Sequence, residues 1–362
     1  CTYSLTLVIS LKVSVYNYND KGDVYQASVK DIDDVILGKI PIIVKSKYST
    51  KDIDLEECRY DIGGYFIING NEKVLITQEK IIPNKIHIHN NVKPTSRYRL
   101  ICEIRTLKDE SFNVAKCVAI KYTYKKVEYE NKLFISVPHL KQEIPLFVVF
   151  KALGCLTDKE IIYTIIDNDN SSIDIEMIKL LKSSLLDTSD IYSEENAIKY
   201  ISDNLKKDSR NFTAEMRYKY CKNILDTEFM SHCNSVSEKI HYLALMTNKL
   251  LKAHMGIIEP SDRDSYINKR LEPAGSLLGS LFFQSMLRII KDIRSSVSKE
   301  VATGHWCITQ KYEDIINSHN ISKMIKPSYI ESIYKSALST GSWGIKNANS
   351  KQGVSQVLNR LT

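Results

Sequence analysis

Residues 61–79 read DIGGYFIINGNEKVLITQE, a string that turns back on itself. Gly63-Gly64 open it, where a chain without Cβ atoms can turn sharply or let another backbone come close. Tyr65-Phe66-Ile67-Ile68 is an aromatic and β-branched run suited to a strand. Asn69-Gly70 is a strong signal for a two-residue hairpin turn, since a type I′ turn needs φ > 0 at both central positions. Val74-Leu75-Ile76-Thr77 makes the return strand, with Glu72 and Lys73 as polar residues beside the turn. The expectation is a buried hairpin with a charged tip, its core face carrying Phe66, Ile68, Val74 and Ile76.

Outward from the hairpin, residues 1–137 read mainly as β-structure. Leu5, Leu7, Ile9, Leu11, Val13 and Val15 alternate with Ser, Lys and other residues, the pattern of a half-buried strand and not of a signal-peptide core. Gly38-Lys39-Ile40-Pro41-Ile42-Ile43-Val44-Lys45-Ser46 is a further run. Its isolated Pro points to an edge or a bulge, because Pro cannot donate to the ladder. Strands are also expected at 98–105, 113–124 and 133–137, with a loop at 93–96 and a turn at 130–131.

At Pro138 the periodicity changes. Residues 144–153 are almost wholly apolar and stop at Gly154, as a buried helix with a C-terminal glycine would. Thr157-Asp158-Lys159-Glu160 is a capping box opening the next helix. Amphipathic helices are expected at 174–186, 193–204, 213–230 and 237–255. After Glu259-Pro260-Ser261, a linker by composition, comes DRDSYINKRLEPAGSLLGSLFF (262–283). Asp262, Arg263 and Asp264 there are expected to form structural ion pairs. A helix over 277–297 follows, and Pro327 suits the first position of another that runs to 338. The chain ends in TGSWGIKNANSKQGVSQVLNRLT.

Composition bounds what such a chain can do. Its 362 residues, 43% hydrophobic, can bury two or three domain-sized cores. It opens on Cys1 and closes on Thr362 without a fading polar tail, which suggests a piece of something larger. The formal charge of +7, from 50 basic and 43 acidic residues, permits a polyanionic partner without requiring one. Eight cysteines show no C-x-x-C spacing, so reduced, mostly buried thiols are expected in place of disulfides or a zinc ribbon. No apolar run approaches the ~18 residues of a membrane span. The protein reads as intracellular.

Chemistry-bearing clusters are sparse. Paired acids occur at Asp31/Asp33/Asp34, Asp52/Asp54, Asp167/Asp169 and Asp262/Asp264, but a two-metal centre needs a dedicated cluster, and loop acids or helix caps explain these. His87 and His89 would share one strand face, as would His305 and Cys307, while His232 and Cys233 are adjacent; none has a second ligand pair. No G-x-S-x-G, H-E-x-x-H, P-loop or dinucleotide fingerprint is present. Catalytic and metal residues are therefore expected to be absent. In the tail, Lys346, Lys351 and Arg360 stand in a polar, Asn- and Ser-rich stretch. A solvated loop and an exposed phosphate-contacting loop both fit that composition.

Four blocks in this order resemble one family: 38–46, the double-glycine hairpin, the 262–283 block and the tail. The chain is similar to the second-largest subunit of multisubunit DNA-dependent RNA polymerases, in the eukaryotic polymerase II or large-DNA-virus style. The resemblance implies an α+β fold. A β-rich, discontinuous protrusion (1–137 and 262–326) would hold an inserted helix-rich lobe (138–261) and lead into an incomplete fork region (327–362). It implies a share in template-directed RNA synthesis, with the chain walling one side of the DNA cleft. It implies as partners the largest and smaller polymerase subunits, the DNA template and the RNA–DNA hybrid, with no membrane. Mg²⁺ would be held chiefly by the largest subunit and the isolated fragment would be inactive. The location would be the nucleus, or cytoplasm and virion for a viral enzyme.

Gly63, Gly64, Asn69, Gly70, Glu72, Lys73, Asp262, Arg263 and Asp264 carry the structural signature. Lys346, Lys351, Ser355, Gln356 and Arg360 match positions beside nucleic acid. Lys351 stands where relatives usually carry Arg, and Gln352 where they often have Ala. Val354 and Asn359 replace the Leu and Asp of the bacterial rifamycin pocket, so drug binding does not carry over, and Leu361 stands where close eukaryotic relatives have Tyr. The alternative is a stand-alone nucleic-acid-binding or scaffold protein built from the same domains.

Overall fold

The computed structural model describes residues 1–18, 24–49, 58, 60–91, 96–108, 112, 114–123, 131–166, 172–206, 212–303, 315–344 and 351–360. Helices and antiparallel sheets are segregated, an α+β arrangement. The chain divides into two compact units, one built from Cys1–Glu79 with Leu271–Thr362 and the other from Lys80–Arg270.

In the first unit, strands Ser4–Tyr18 and Val24–Pro41 form a long antiparallel ribbon. Its register shifts between Leu7 and Val8, between Ile9 and Leu11, and between Val15 and Tyr16. Such bulges add twist, so a ribbon this long coils around what it packs on. Leu7, Ile9, Leu11 and Val13 lie against a core of Ile32, Val35, Leu37, Phe66, Ile68, Leu277, Ile330 and Leu338, among others. Pro41 closes its strand opposite Ser4, where a missing donor costs little. Helices Ala274–Thr303, Ser318–Ile325 and Ser328–Thr340 complete the unit. The phenol of Tyr334 donates to the Leu278 carbonyl (2.8 Å) and the Trp343 indole to that of Leu277 (3.1 Å), so both buried aromatics have their polar ends satisfied.

In the second unit a five-stranded antiparallel sheet has the order Ile144–Pro145, Leu133–Ser136, Lys116–Thr123, Tyr98–Thr106, His87–Asn90. Leu100, Cys102 and Ile104, with Val118, Ile120 and Tyr122, are buried at every second position, the signature of one covered face. Helices Leu146–Ala152, Asp158–Ile165, Ser172–Leu186, Glu194–Asp203, Ala214–Asn223 and Val236–His254 contribute to the same core. Thr157, Ser193, Thr213 and Ser235 cap four of them, each hydroxyl accepting the N–H three residues on at 3.2–3.3 Å. The helix after Thr213 passes into a π-turn at Ile224–Glu228, and the buried Lys239 amine donates to the carbonyls of Leu225 (2.8 Å) and Asp226 (2.6 Å).

The division expected at 137/138 does not coincide with that of the compact units. Leu133–Ser136 pairs with Ile144–Pro145, so one sheet runs through that point, and the strands from 87 onward share a core with the helices. The switch of periodicity at Pro138 marks a change of element inside one core. Thiol burial also differs from expectation: Cys102, Cys155 and Cys221 are buried, but Cys1, Cys58 and Cys117 are exposed, and no described cysteine is in a disulfide. No helix among the described residues is long and apolar enough to cross a membrane.

Candidate nucleic-acid interface

The hairpin forms as its sequence demands. Phe66, Ile67 and Ile68 pair with Lys73, Glu72 and Asn71, leaving Asn69 (φ 50°) and Gly70 (φ 83°) as the two turn residues. Cross-strand partners share a face. Leu75 therefore joins Phe66 and Ile68 on the core side, whereas Val74 and Ile76 fall on the other side, with Ile76 exposed. This corrects the expected core set: the two-residue turn fixes the register, and the register selects Leu75. Gly63 (φ 73°) lies so close to its neighbours that a Cβ would sit 2.6 Å from the Val44 carbonyl oxygen. That oxygen accepts the Gly64 N–H at 3.1 Å and the Val44 N–H donates to Tyr65, which joins the 38–46 run to the hairpin.

The tail adds a third strand. Ser355, Gln356 and Val357 pair with Leu75, Val74 and Lys73. The Ile76 N–H donates to Val354 (2.8 Å) and the Leu358 N–H to Glu72 (3.0 Å). Ser355 is buried, its hydroxyl donating to the Leu338 carbonyl at 2.7 Å. Gln356 is exposed. Trp343 and Lys351 exchange backbone hydrogen bonds (2.7 and 3.2 Å). The Lys351 amine meets Glu272 at 2.6 Å. Lys346 lies outside the described residues, as does Leu361.

Arg360 grips Glu72 with two hydrogen bonds, Nε to Oε2 at 3.0 Å and Nη2 to Oε1 at 2.9 Å. It also lies over the Tyr65 ring, 5.3 Å from its centroid, and 3.7 Å from Asp61. The Tyr65 phenol donates to Asp61 at 2.6 Å, and Asp61 also accepts the Gly63 N–H. That phenol hydrogen bond, helped by the Gly63 N–H and the Arg360 charge, holds the Asp61 carboxyl below the usual carboxylate range. The same bond, with burial, pushes the Tyr65 hydroxyl up to about 12. Lys73 donates to the Ser339 carbonyl at 3.1 Å, tying the hairpin to the end of helix Ser328–Thr340.

The structure thus gathers Gly63, Asn69, Gly70, Glu72, Lys73, Lys351, Ser355, Gln356 and Arg360 in the first unit. Gly64 lies there too, whereas Asp262, Arg263 and Asp264 belong to the second unit. Asp262 accepts the Asp264 N–H at 2.9 Å, and Arg263 pairs with Glu103 at 3.1 Å. Asp61, Tyr65 and Glu272 complete the site and were not legible as members of it, because each meets its cation, Arg360 or Lys351, across a long stretch of chain. Among the described residues no three His, Cys, Asp or Glu side chains are grouped to hold a metal ion. His87 is buried with both ring nitrogens lacking partners, and its pKa is pushed below the ordinary value by burial and by the nearby Lys85.

The family described as RNA polymerase Rpb2, domain 2, matches residues 119–272. The whole chain is 33% identical to DNA-directed RNA polymerase II subunit 2 of Arabidopsis thaliana, covering 30% of that protein. The chain belongs to the RNA polymerase second-subunit family. It is also 29% identical to the RNA polymerase subunit Rpo2 of Saccharolobus solfataricus, over 91% of this chain and 27% of that one. With the RNA polymerase subunit 2 of Acanthamoeba polyphaga mimivirus the identity is 31%, over 91% and 28%. The chain spans about 30% of the length of these second subunits, their amino-terminal third.

Proposed function

We propose that this chain serves as part of the second subunit of a DNA-directed RNA polymerase, lining the DNA cleft and touching template and RNA–DNA hybrid through its tail. The observation that carries the reading is identity to second subunits of plant, archaeal and viral origin, over the whole chain in the first case and 91% of it in the other two. In this reading the first unit corresponds to protrusion and fork, and the helix-rich part of the second unit to the lobe. The largest subunit supplies the Mg²⁺ centre, and smaller subunits complete the assembly. Work in the nucleus, or in the cytoplasm or virion for a viral enzyme, follows from the same kinship.

The exposed tail supports a backbone-contacting role. Exposed cations in a polar stretch suit phosphate, and no nucleophile–base pair is needed there. The test is assembly. A tagged second subunit that contains this chain should co-purify with a largest subunit and give template-dependent RNA synthesis. The purified 362-residue chain should form no phosphodiester bond with any template, Mg²⁺ or nucleotide supply. RNA synthesis by the pure chain, or failure of the subunit to capture a largest subunit, would overturn the proposal.

A further inference from the structure

Among the described residues of the tail, the cations Lys351 and Arg360 are both engaged with carboxylates, but in different ways. Lys351 meets Glu272 through one amine, at one end of the tail segment. Arg360, at the other end, spends Nε and Nη2 together on both oxygens of Glu72. Its plane also rests over Tyr65, which is itself anchored to Asp61. The strand between them has three residue pairs. So short an edge strand holds poorly by itself. Toward the chain's amino end it is secured by the buried Ser355 hydroxyl and the Trp343–Lys351 bridge. Beyond Val357, among the described residues, the fastenings are the Leu358 N–H to Glu72 and the Arg360 fork on the same Glu72.

We propose that Arg360 is a positioning residue: by gripping Glu72 it holds strand Ser355–Val357 on the hairpin, and it acts on nucleic acid through that placement, not by touching phosphate. This also gives the charged tip of the hairpin a role. Glu72 holds the tail through both its side chain and its carbonyl, while Lys73 holds the end of helix Ser328–Thr340. The inference rests on the reading that the tail lies beside nucleic acid.

Two single substitutions separate positioning from direct contact, because they predict opposite signs. Glu72→Gln frees Arg360 as a cation. A phosphate-gripping arginine would then bind as well as before or tighter, whereas a positioning arginine would lose its hold. The full chain, Glu72→Gln, Arg360→Ala and the double variant are compared by amide hydrogen exchange at Leu358 and by anisotropy of a fluorescein-labelled short RNA–DNA hybrid. Both single variants are expected to speed Leu358 exchange about tenfold and to weaken hybrid retention by a similar factor. The double variant should be no worse than either single one, as for residues acting as one unit. Equal or tighter retention in Glu72→Gln with weakened retention in Arg360→Ala overturns the proposal, and so does unchanged Leu358 exchange in both. If the unaltered chain retains no hybrid, the nucleic-acid reading fails separately, and the exchange data alone judge the positioning role. Arg360→Lys keeps the charge without the planar fork and should recover exchange protection only in part.

Discussion

Gly63 and Gly70 are both left-handed, yet they should tolerate side chains very differently. At Gly70 (φ 83°) nothing lies within 4 Å of where a Cβ would stand, so a substitution meets backbone strain alone. Left-handed conformations in non-glycine residues cost about 1–3 kcal/mol, and a β-branched residue belongs at the upper end. Gly70→Val should therefore cost about 2–3 kcal/mol, and Gly70→Asn much less, since Asn tolerates this region. Gly63 (φ 73°) adds a collision: a Cβ would stand 2.6 Å from the Val44 oxygen and 2.8 Å from the Lys45 Cβ. The Val44 peptide cannot swing aside without loosening its bonds to Gly64 and Tyr65. Overpacking adds about 1–3 kcal/mol, so Gly63→Ala should cost about 2–6 kcal/mol in total.

For a unit of 150–250 residues, each kcal/mol moves Tm by about 2–4 °C. Gly70→Val should thus lower the melting temperature of the first unit by about 4–12 °C, and Gly63→Ala by still more. Tryptophan fluorescence reads this directly, since Trp343 is buried in the first unit and the sequence 80–270 contains no tryptophan. Hydrogen exchange in the second unit should scarcely change. Gly63→Ala melting no lower than Gly70→Ala would refute the close-approach argument. Gly70→Asn melting as low as Gly70→Val would refute the strain argument.

The buried Lys151 amine, 4% exposed, donates to the carbonyls of Thr188 and Ile191 at 3.0 Å and lies 3.2 Å from Asp158. Lys151→Ala should destabilise the second unit by about 2–4 kcal/mol in urea denaturation followed by exchange, because two buried acceptors lose their donor. His87 is held neutral by burial, so the unfolded chain takes up a proton first as pH falls. Stability of the second unit should be fully present above the unfolded histidine value of about 6.5 and decline as pH drops toward the lower folded value; His87→Leu should flatten that slope. Lys351 and Glu272 form a partly exposed pair, so Lys351→Ala should cost under about 1 kcal/mol in stability, an effect that fades in high salt. The same change should weaken hybrid retention by about one phosphate contact, seen as a shallower salt dependence.

Elements governed by near neighbours along the chain were legible from sequence. The Asn69-Gly70 turn, the alternation of the first strand and the capping hydroxyl of Thr157 depend on backbone dihedrals and on contacts a few residues apart. The family, too, could be read from the order of four short blocks, since such strings preserve local chemistry. Tertiary structure decided the rest, because it depends on pairings that no local window contains. Hairpin register put Leu75 on the core side in place of Val74 and Ile76. Sheet pairing across Pro138 placed the strands from 87 onward in one core with the helices that follow. Arg360 reads as a loose cation in a polar tail until the fold brings it to Glu72, which lies 288 positions earlier in the chain. A charge can be counted from sequence, but its partner is chosen by whichever backbone arrives within about 3 Å, and only packing determines that.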